Sequence, residues 1–375
     1  MRYIILFLFG FQAASGQHVY PLWGSAEADE FVTVRVPDAS ITATHTNFIV
    51  YLDLALMPDN FWDNVESDFS DIRVYEDDHT TELNWDSIST HTATDEGMLA
   101  IRLTVTDGGD TDFIVDWEGD RAAKGRTFHR VTWTDFKAAW FLNHTGTILN
   151  RVTSATAKNM VGKNLEGGDI SSGGPMIKYI TLDGVNEYFE TVGVNSVDHV
   201  YPSSYFVWHV IPVADYPINR YYPFTDYGNT SASHAVVWGI FDTNIASTGL
   251  KDRFRLVTYN ESGSSVYQSI GPTAGVFTDH NDGSTWRMIS SSHKTAGGSS
   301  SEYYVDGDSY GVSTTLLSDV TSGQRERICA LLASSNTYYP GPIAAVTLHT
   351  LQRSDEWMDD THDMLMNQGT FFTFP

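Results

Sequence analysis

The first third of the chain is dominated by short runs in which apolar and polar residues alternate. A period of two is typical of strands that bury one face, and clusters of Asp, Glu and Gly between the runs favour turns. Strands at this spacing predict a β-sandwich over residues 31–121, followed by a linker over residues 122–134. The runs are Val32–Val36, Phe48–Leu54, Ile72–Tyr75, Met98–Val105 and Phe113–Trp117.

The stretch Ile180–Glu190 is the centre of the pattern in the second half of the chain. Ile180, Leu182 and Tyr188 alternate with polar residues, and Asp183-Gly184 stands between the two runs. Gly tolerates a positive φ angle and Asp bonds to its own backbone, so this dipeptide favours a tight turn. The pattern therefore predicts a β-hairpin here.

The remainder of the second half also reads as β-structure. Mostly polar residues from His144 to Gly174 predict a long loop, and Tyr216–Tyr227 predicts a further loop that contains proline. Strand-like runs occur at Ser204–Val213, His234–Phe241, Asp252–Tyr259, Val266–Ile270 and Ala344–Leu351.

Several motifs of the second half resemble those of concanavalin A-like and laminin-G-like jelly-roll modules. Ile180–Glu190 is similar to the opening hairpin of these modules, and Phe136–Asn143 to their first strand. Asp282–Ile289 and Glu302–Asp308 resemble a later strand and its Y-V-D-G hairpin, in the order of the family. The resemblance implies that residues 135–375 form a concanavalin A-like jelly roll with a C-terminal helix and tail.

The first sandwich resembles a bacterial domain family of unknown function that commonly precedes such modules in exported and phage proteins. Asn47–Leu52, Ser70–Tyr75 and Glu82–Asp86 carry this likeness. No activity belongs to that family, so the likeness implies no site. The fold class expected for the chain is therefore all-β, with two β-sandwich domains and a short C-terminal helix.

A helix is predicted over Ser354–Met366. Ser354 is suited to cap its N-terminus, and Asp355 and Glu356 suit the positive end of the helix dipole. The side chains expected on its buried face are Trp357, Met358 and Leu365. Residues Asn367–Phe372 resemble the ending seen where the two domain types occur together.

The first residues resemble a secretory leader. Arg2 precedes an apolar run of about nine residues and then Ala14-Ser15-Gly16, so residues 1–16 are predicted to be a signal peptide before a segment over residues 17–30. A buried strand or an N-terminal anchor is the alternative. We therefore expect an extracellular, cell-surface or virion-surface protein. No internal disulfide is expected, because Cys329 is the only cysteine. Cys329 itself is predicted to be a small buried residue.

The charge of the chain disfavours several partners. Lys and Arg total 22 against 47 Asp and Glu, a formal net charge of -25. Such a field repels phosphate backbones and anionic lipid, so neither nucleic acid nor membrane insertion of the mature chain is expected. Divalent cations and neutral glycans remain compatible with it.

Catalytic motifs are scarce in the sequence. The carboxylates Asp116, Glu118 and Asp120 alternate as in some glycosidases, yet they end the first sandwich and read better as a solvated strand end. We find no G-x-S-x-G elbow, and His349 on an apolar strand reads as a core histidine. No catalytic residue is therefore expected, and a glycoside hydrolase is the least favoured function.

Calcium is the cofactor that the resemblance implies, because related modules hold this ion at a rim through oxygen ligands. The candidate ligands are Asp279, Asn281, Asp306 and Asp308. The alternative is structural: a turn before Trp286 and a D-G hairpin at Asp306-Gly307.

Tyrosine-rich stretches provide the candidate ligand site. Aromatic faces stack on sugar rings while polar side chains bind the ring edges, but Tyr and Arg are also enriched at protein interfaces. We therefore expect a non-catalytic binding protein for a glycan or other surface ligand, or a structural component of a phage particle or cell-surface assembly. The candidate residues are Tyr216, Arg220, Tyr221, Tyr222, Asp226, Tyr227, Tyr338 and Tyr339.

Overall fold

The structure is a computed structural model that describes most of the chain after residue 30. The described ranges are 31–91, 95–117, 130–153, 155–194, 203–210, 220–228, 235–242, 253–259, 265–270, 283–294, 301–313, 325–331 and 337–375. The leader predicted over residues 1–16 and the segment 17–30 lie outside them.

In the described part of the first sandwich there are six strands and one short α-helix. The strands form two three-stranded antiparallel sheets in the orders β1-β6-β3 and β2-β5-β4, which bury apolar side chains between them. The elements are β1 (Phe31–Val36), β2 (His45–Asp53), α1 (Asp59–Asn64), β3 (Arg73–Glu76), β4 (Asn84–His91), β5 (Glu96–Val105) and β6 (Thr111–Asp116). Each of the five predicted runs contributes a strand, and β4 is an additional one.

The second sandwich consists of two large antiparallel sheets. Its strands are β7 (Phe136–Phe141), β8 (Thr147–Ile148), β9 (Met160–Lys163), β10 (Ile170–Ser172), β11 (Lys178–Asp183), β12 (Tyr188–Thr191), β13 (Ser203–Val210), β14 (Arg220–Gly228), β15 (Ala235–Asp242), β16 (Arg253–Tyr259), β17 (Ser265–Ile270), β18 (Trp286–His293), β19 (Ser301–Val305), β20 (Asp308–Ser313), β21 (Glu326–Ile328), β22 (Ala330–Leu331), β23 (Thr337–Tyr338) and β24 (Pro340–His349). We call the sheet β10-β11-β24-β13-β18-β19-β20, in which β24 also pairs with β7, the inner sheet. The outer sheet is β17-β16-β15-β14-β21-β12-β9-β8, and β22 pairs with β23. This architecture confirms the all-β, two-sandwich prediction.

The hairpin predicted over Ile180–Glu190 is wrong. Its two strands exist, but β11 pairs with β10 and β24 in the inner sheet, whereas β12 pairs with β9 and β21 in the outer sheet. The Asp183-Gly184 turn thus carries the chain across the sandwich. Gly184 has a φ angle of 71°, and a Cβ there would lie 2.7 Å from Pro340 Cβ, so glycine is needed at this crossing.

The predicted loop over His144–Gly174 is also only partly a loop. The short strands β8, β9 and β10 lie within it, because the edges of both sheets take up its few apolar residues, such as Ile148 and Met160.

Both faces of the inner sheet are buried. All eight residues of β13 are buried; Tyr205 and Val207 belong to the core between the inner and outer sheets. Phe206 and Trp208 belong to a second core shared with the first sandwich. The inner sheet is therefore covered on one face by the outer sheet and on the other by the first sandwich and helix residues such as Trp357.

The C-terminal helix confirms its prediction. Helix α2 spans Asp355–Met366, and Ser354 Oγ accepts a hydrogen bond from the Trp357 N–H at 3.4 Å. Trp357, Met358 and Leu365 are buried as predicted. The short helix α3 (Gln368–Phe371) follows.

The tail after α3 joins the first sandwich. Thr373 exchanges backbone hydrogen bonds of 2.8 and 2.9 Å with Arg35 on β1. The two ends of the described chain therefore meet at one sheet edge. Among the described residues, no helix combines the length and the apolar character needed to cross a membrane.

Candidate ligand-binding site

Most of the predicted ligand-binding residues lie on one strand. Arg220, Tyr221, Tyr222, Asp226 and Tyr227 all belong to β14, so the loop predicted there is wrong for residues 220–227. The proline at position 223 is accommodated because the pairing of β14 with β15 shifts register between Pro223 and Thr225. Tyr216 lies outside the described residues.

Tyr339 is buried and cannot be a surface ligand residue. Its exposed fraction is 0%, its hydroxyl donates to the Val210 carbonyl at 2.6 Å, and the same oxygen lies 2.8 Å from His209 Nδ1. The prediction of an exposed pair with Tyr338 is therefore wrong for Tyr339. The core takes its ring because strand residues alternate between faces, and Tyr338 is the one left half-buried at the surface.

The outward face of the outer sheet carries a cluster that the sequence did not reveal. On β12, Phe189 lies in the core, so Tyr188 and Glu190 on either side of it lie on the opposite face. On β21, Ile328 lies in the core and Arg327 faces outward in the same way. Because β12 pairs with both β21 and β9, residues far apart in sequence meet on this face. We call Lys163, Tyr188, Glu190, Arg325, Arg327 and Tyr338 the outer-face cluster.

Charge in this cluster converges on Glu190. One carboxylate oxygen accepts from Arg325 Nη1 at 2.8 Å and the other from Arg327 Nε at 3.1 Å, and Lys163 Nζ lies 3.9 Å away. Backbone register places Asp226 opposite Arg327 on the neighbouring β14. Lys163, Arg325 and Arg327 thus bring three positive charges to the carboxylate of Glu190.

Two half-buried tyrosines flank the charges. The ring centroids of Tyr188 and Tyr338 are 5.9 Å apart, and their planes are tilted by 39°. Burial, and then the negative charge of Glu190, raises the pKa of Tyr188. Its hydroxyl therefore stays protonated at neutral pH and is able to donate a hydrogen bond. The cluster thus combines aromatic faces with guanidinium and hydroxyl donors.

One of the predicted calcium ligands, Asp306, already has hydrogen-bond partners within the protein. Asp306 accepts from Arg287 Nη1 at 2.6 Å and from the Met288 N–H at 2.9 Å, so its carboxylate is engaged. Asp306 and Gly307, with φ angles of 54° and 87°, form the two-residue turn between β19 and β20. This confirms the hairpin alternative for Asp306–Asp308.

The other proposed calcium ligands, Asp279 and Asn281, lie outside the described residues. Within the described ranges, no three His, Cys, Asp or Glu side chains approach one another closely enough to hold a metal ion. Calcium at the rim therefore stays a prediction.

The remaining candidate groups are structural or lie outside the described ranges. His349 is buried, its Nδ1 accepts from Arg353 Nε at 3.1 Å, and burial lowers its pKa well below the usual value. Cys329 is also buried, and burial raises the pKa of its thiol. Both predictions of a core role are confirmed. Asp116 ends β6, whereas Glu118 and Asp120 are not among the described residues.

Comparisons with known proteins concern the architecture. No protein-family model matches the chain, and no curated protein does. Among solved structures, domain 4 of AbnA, a GH43 extracellular arabinanase from Geobacillus stearothermophilus solved with arabinotriose, is 14% identical with a TM-score of 0.42. That match covers 60% of this chain and 97% of the other.

Toxin binding domains are similar to this chain at comparably low sequence identity and TM-score. The binding domain of Paraclostridial Mosquitocidal Protein 1 is 13% identical, with a TM-score of 0.44 and coverage of 62% of this chain and 53% of the other. The botulinum neurotoxin serotype D ligand binding domain, solved with N-acetylneuraminic acid, is 9% identical, with a TM-score of 0.42 and coverage of 62% and 52%. This chain thus spans about half the length of those chains. Likenesses this distant assign no ligand to it.

Proposed function

We propose that this protein is a non-catalytic binding protein that recognises a carbohydrate through the outer-face cluster. The observation that carries the proposal is the half-buried pair Tyr188 and Tyr338, 5.9 Å apart beside the guanidinium groups that surround Glu190. Aromatic rings supply flat apolar faces for a sugar ring, and guanidinium N–H groups are directional donors for its hydroxyls.

The network around Glu190 supports the proposal because it holds the donors in place. Arg327 is bound through Nε and Arg325 through Nη1, so Glu190 fixes the orientation of each guanidinium. The side chain of Arg325 is 41% exposed, so it is accessible to a ligand. Donors fixed before binding lose less conformational entropy when the ligand arrives.

The experiment is a glycan array probed with the full chain, followed by calorimetric titration of any glycan that binds. Tyr188→Ala should weaken that binding about tenfold or more, as expected for an aromatic anchor. Tyr75→Ala, which removes a half-buried tyrosine of the first sandwich, is the matched control. Failure to bind any glycan, or equal binding by the two variants, would refute the proposal.

A protein ligand is the second candidate for the same surface. Tyr and Arg are enriched at protein interfaces, and a structural component of a phage particle or cell-surface assembly would use such a face for contacts. Self-association or capture of a capsid, tail or surface protein, lost with Tyr188→Ala in the absence of any glycan binding, would favour this function.

Export and calcium binding belong to the same proposal. Secretion would place the cluster where surface glycans occur, and N-terminal sequencing of the mature protein should then begin at Gln17. Calcium is tested by calorimetric titration of the chelator-treated protein, with Asp279→Ala as the variant that should lose the signal. A mature protein that retains Met1 would contradict export. A titration that releases no heat with calcium would contradict calcium binding.

A further inference from the structure

A pocket that includes no residue of the outer-face cluster lies where the two sandwiches meet. Its volume is about 280 Å³, close to the lower end of the roughly 300–1,000 Å³ typical of small-molecule sites. Ile88 of β4 belongs to the first sandwich, and Phe141, Ile148 and Lys178 to the second. Ligand pockets occur preferentially at such domain interfaces.

The pocket wall is held in place by hydrogen bonds between the sandwiches. Asn143 Nδ2 donates to the Ile88 carbonyl at 3.0 Å, and Arg151 Nη2 donates to the same oxygen at 3.2 Å. Arg151 Nη1 also donates to Asp86 Oδ1 at 3.2 Å, and Asp86 accepts from Trp133 Nε1 at 2.8 Å on its other oxygen. The positions of Asn143 and Arg151 are therefore fixed before any ligand enters.

The polar part of the lining is rich in donors. The contacts of Arg151 use two of the five N–H donors of a guanidinium, and its side chain is 25% exposed. Lys178 adds an ammonium group. Among the residues that the structure describes, Asp86 is the carboxylate paired with this wall and it offsets Arg151, so Lys178 leaves a positive balance in a chain whose net charge is -25.

His144 contributes as a neutral group. Its Nδ1 accepts from the Gly146 N–H at 3.1 Å, which places the proton of the neutral ring on Nε2. Burial, and then the positive charge of Arg151, lowers the pKa of His144. At neutral pH this side chain therefore brings no positive charge of its own, and the attraction for an anion comes from Arg151 and Lys178.

We propose that this pocket binds a small organic acid whose carboxylate contacts Lys178 and Arg151 while its body packs on Ile88, Phe141 and Ile148. Charge-assisted hydrogen bonds to an ammonium and a guanidinium suit a carboxylate. The apolar floor selects a ligand that carries a compact body in addition to the charge.

The test is calorimetric titration of the full chain with galacturonate, and with galactose as its uncharged counterpart. Benzoate tests whether a flat apolar body with a carboxylate is sufficient for binding. Sulfate tests whether the pocket attracts any anion. We expect galacturonate or benzoate to bind, and galactose and sulfate to bind at least tenfold more weakly. Lys178→Met keeps the apolar stem of the side chain and should weaken the acid about tenfold to hundredfold.

Lys294→Met is the matched control, because it removes an exposed lysine of the second sandwich that belongs neither to this pocket nor to the outer-face cluster. Loss of acid binding with Lys163→Met, which changes the outer-face cluster, but not with Lys178→Met would move the ligand to the outer face and overturn the inference. Equal affinity for sulfate, equal affinity for galactose, or no binding of either acid would overturn it as well. None of these outcomes depends on the glycan array, so the two proposals fail separately.

Discussion

Asp360 on α2 lies 2.6 Å from His45 of the first sandwich, measured from Oδ2 to Nε2. Both side chains are buried. Thr42 donates its backbone N–H and its hydroxyl to the same carboxylate at 3.0 and 2.9 Å, and the rings of Phe48 and Trp357 meet edge to face beside it at 4.8 Å. The helix that follows the last strand of the second sandwich is therefore fixed to the beginning of the first.

We expect Asp360→Ala to lower the free energy of unfolding by about 3 kcal/mol, because it leaves the buried His45 ring without its partner and also removes the acceptor of the Thr42 N–H. Urea unfolding followed by tryptophan fluorescence measures the change. Asp363→Ala, on the exposed side of the same helix, should change the free energy by less than about 0.5 kcal/mol. Similar effects from both variants would contradict this role of Asp360.

The tail makes a second connection through Gln368. Its Nε2 donates to the Tyr51 carbonyl at 2.6 Å and its Oε1 accepts from the Asp53 N–H at 3.0 Å, so one side chain pairs with the backbone of β2, an edge strand of its sheet. Gln368→Ala should cost about 1–3 kcal/mol in the same urea experiment. The exposed Gln352→Ala serves as the control, and a stable Gln368→Ala variant would contradict the prediction.

Local signals in the sequence were sufficient for the helix and for most strands. Ser354 and the two acidic residues after it define the start of α2, and the spacing of Trp357 and Leu365 defines its buried side. The alternation of apolar and polar residues likewise located the strands β1, β2, β5 and β6. These features depend on neighbours within one turn or one strand, and the sequence shows such neighbours directly.

Strand pairing was the part that the sequence could not supply. Ile180–Glu190 alternates in the same way whether its two strands pair with each other or enter different sheets, because the period reports faces and not partners. The outer-face cluster was missed for this reason: Glu190 and Arg327 are 137 residues apart. Alternation around Phe189 did show that Tyr188 and Glu190 share a face, and that was the available signal.

Tyr338 and Tyr339 provide a test that separates ligand binding from stability. Tyr339→Phe keeps the ring but removes the donor to the buried Val210 carbonyl, and should lower the free energy of unfolding by about 1–3 kcal/mol. Tyr338→Ala should leave stability within about 1 kcal/mol and weaken glycan binding about tenfold. Glycan titration and urea unfolding of both variants measure the two effects, and loss of binding with Tyr339→Phe alone would contradict the assignment.

Three of the buried histidines, His209, His293 and His349, predict how stability depends on pH. Burial lowers the pKa of His209 to about 3 and of His293 to about 3, and that of His349 well below its usual value. In the unfolded chain each would titrate near 6.5. Between these values the unfolded state binds protons that the native state does not, so stability rises with pH. The contribution of these three histidines to the free energy of unfolding is fully present above about pH 6.5 and declines as the pH falls toward 3.

The expected slope is about 1.4 kcal/mol per pH unit for each histidine below pH 6.5, or up to about 4 kcal/mol per unit for the three together. Urea unfolding at intervals between pH 7.5 and 5 measures it. His349→Phe should reduce the slope by the contribution of one proton, because it removes one titrating imidazole. Phenylalanine suits this site, since the ring centroids of Phe136 and Phe206 lie 4.0 and 4.5 Å from that of His349. A free energy of unfolding that does not change over this range would mean that the three imidazoles accept protons in the native state, and would contradict their burial as neutral groups.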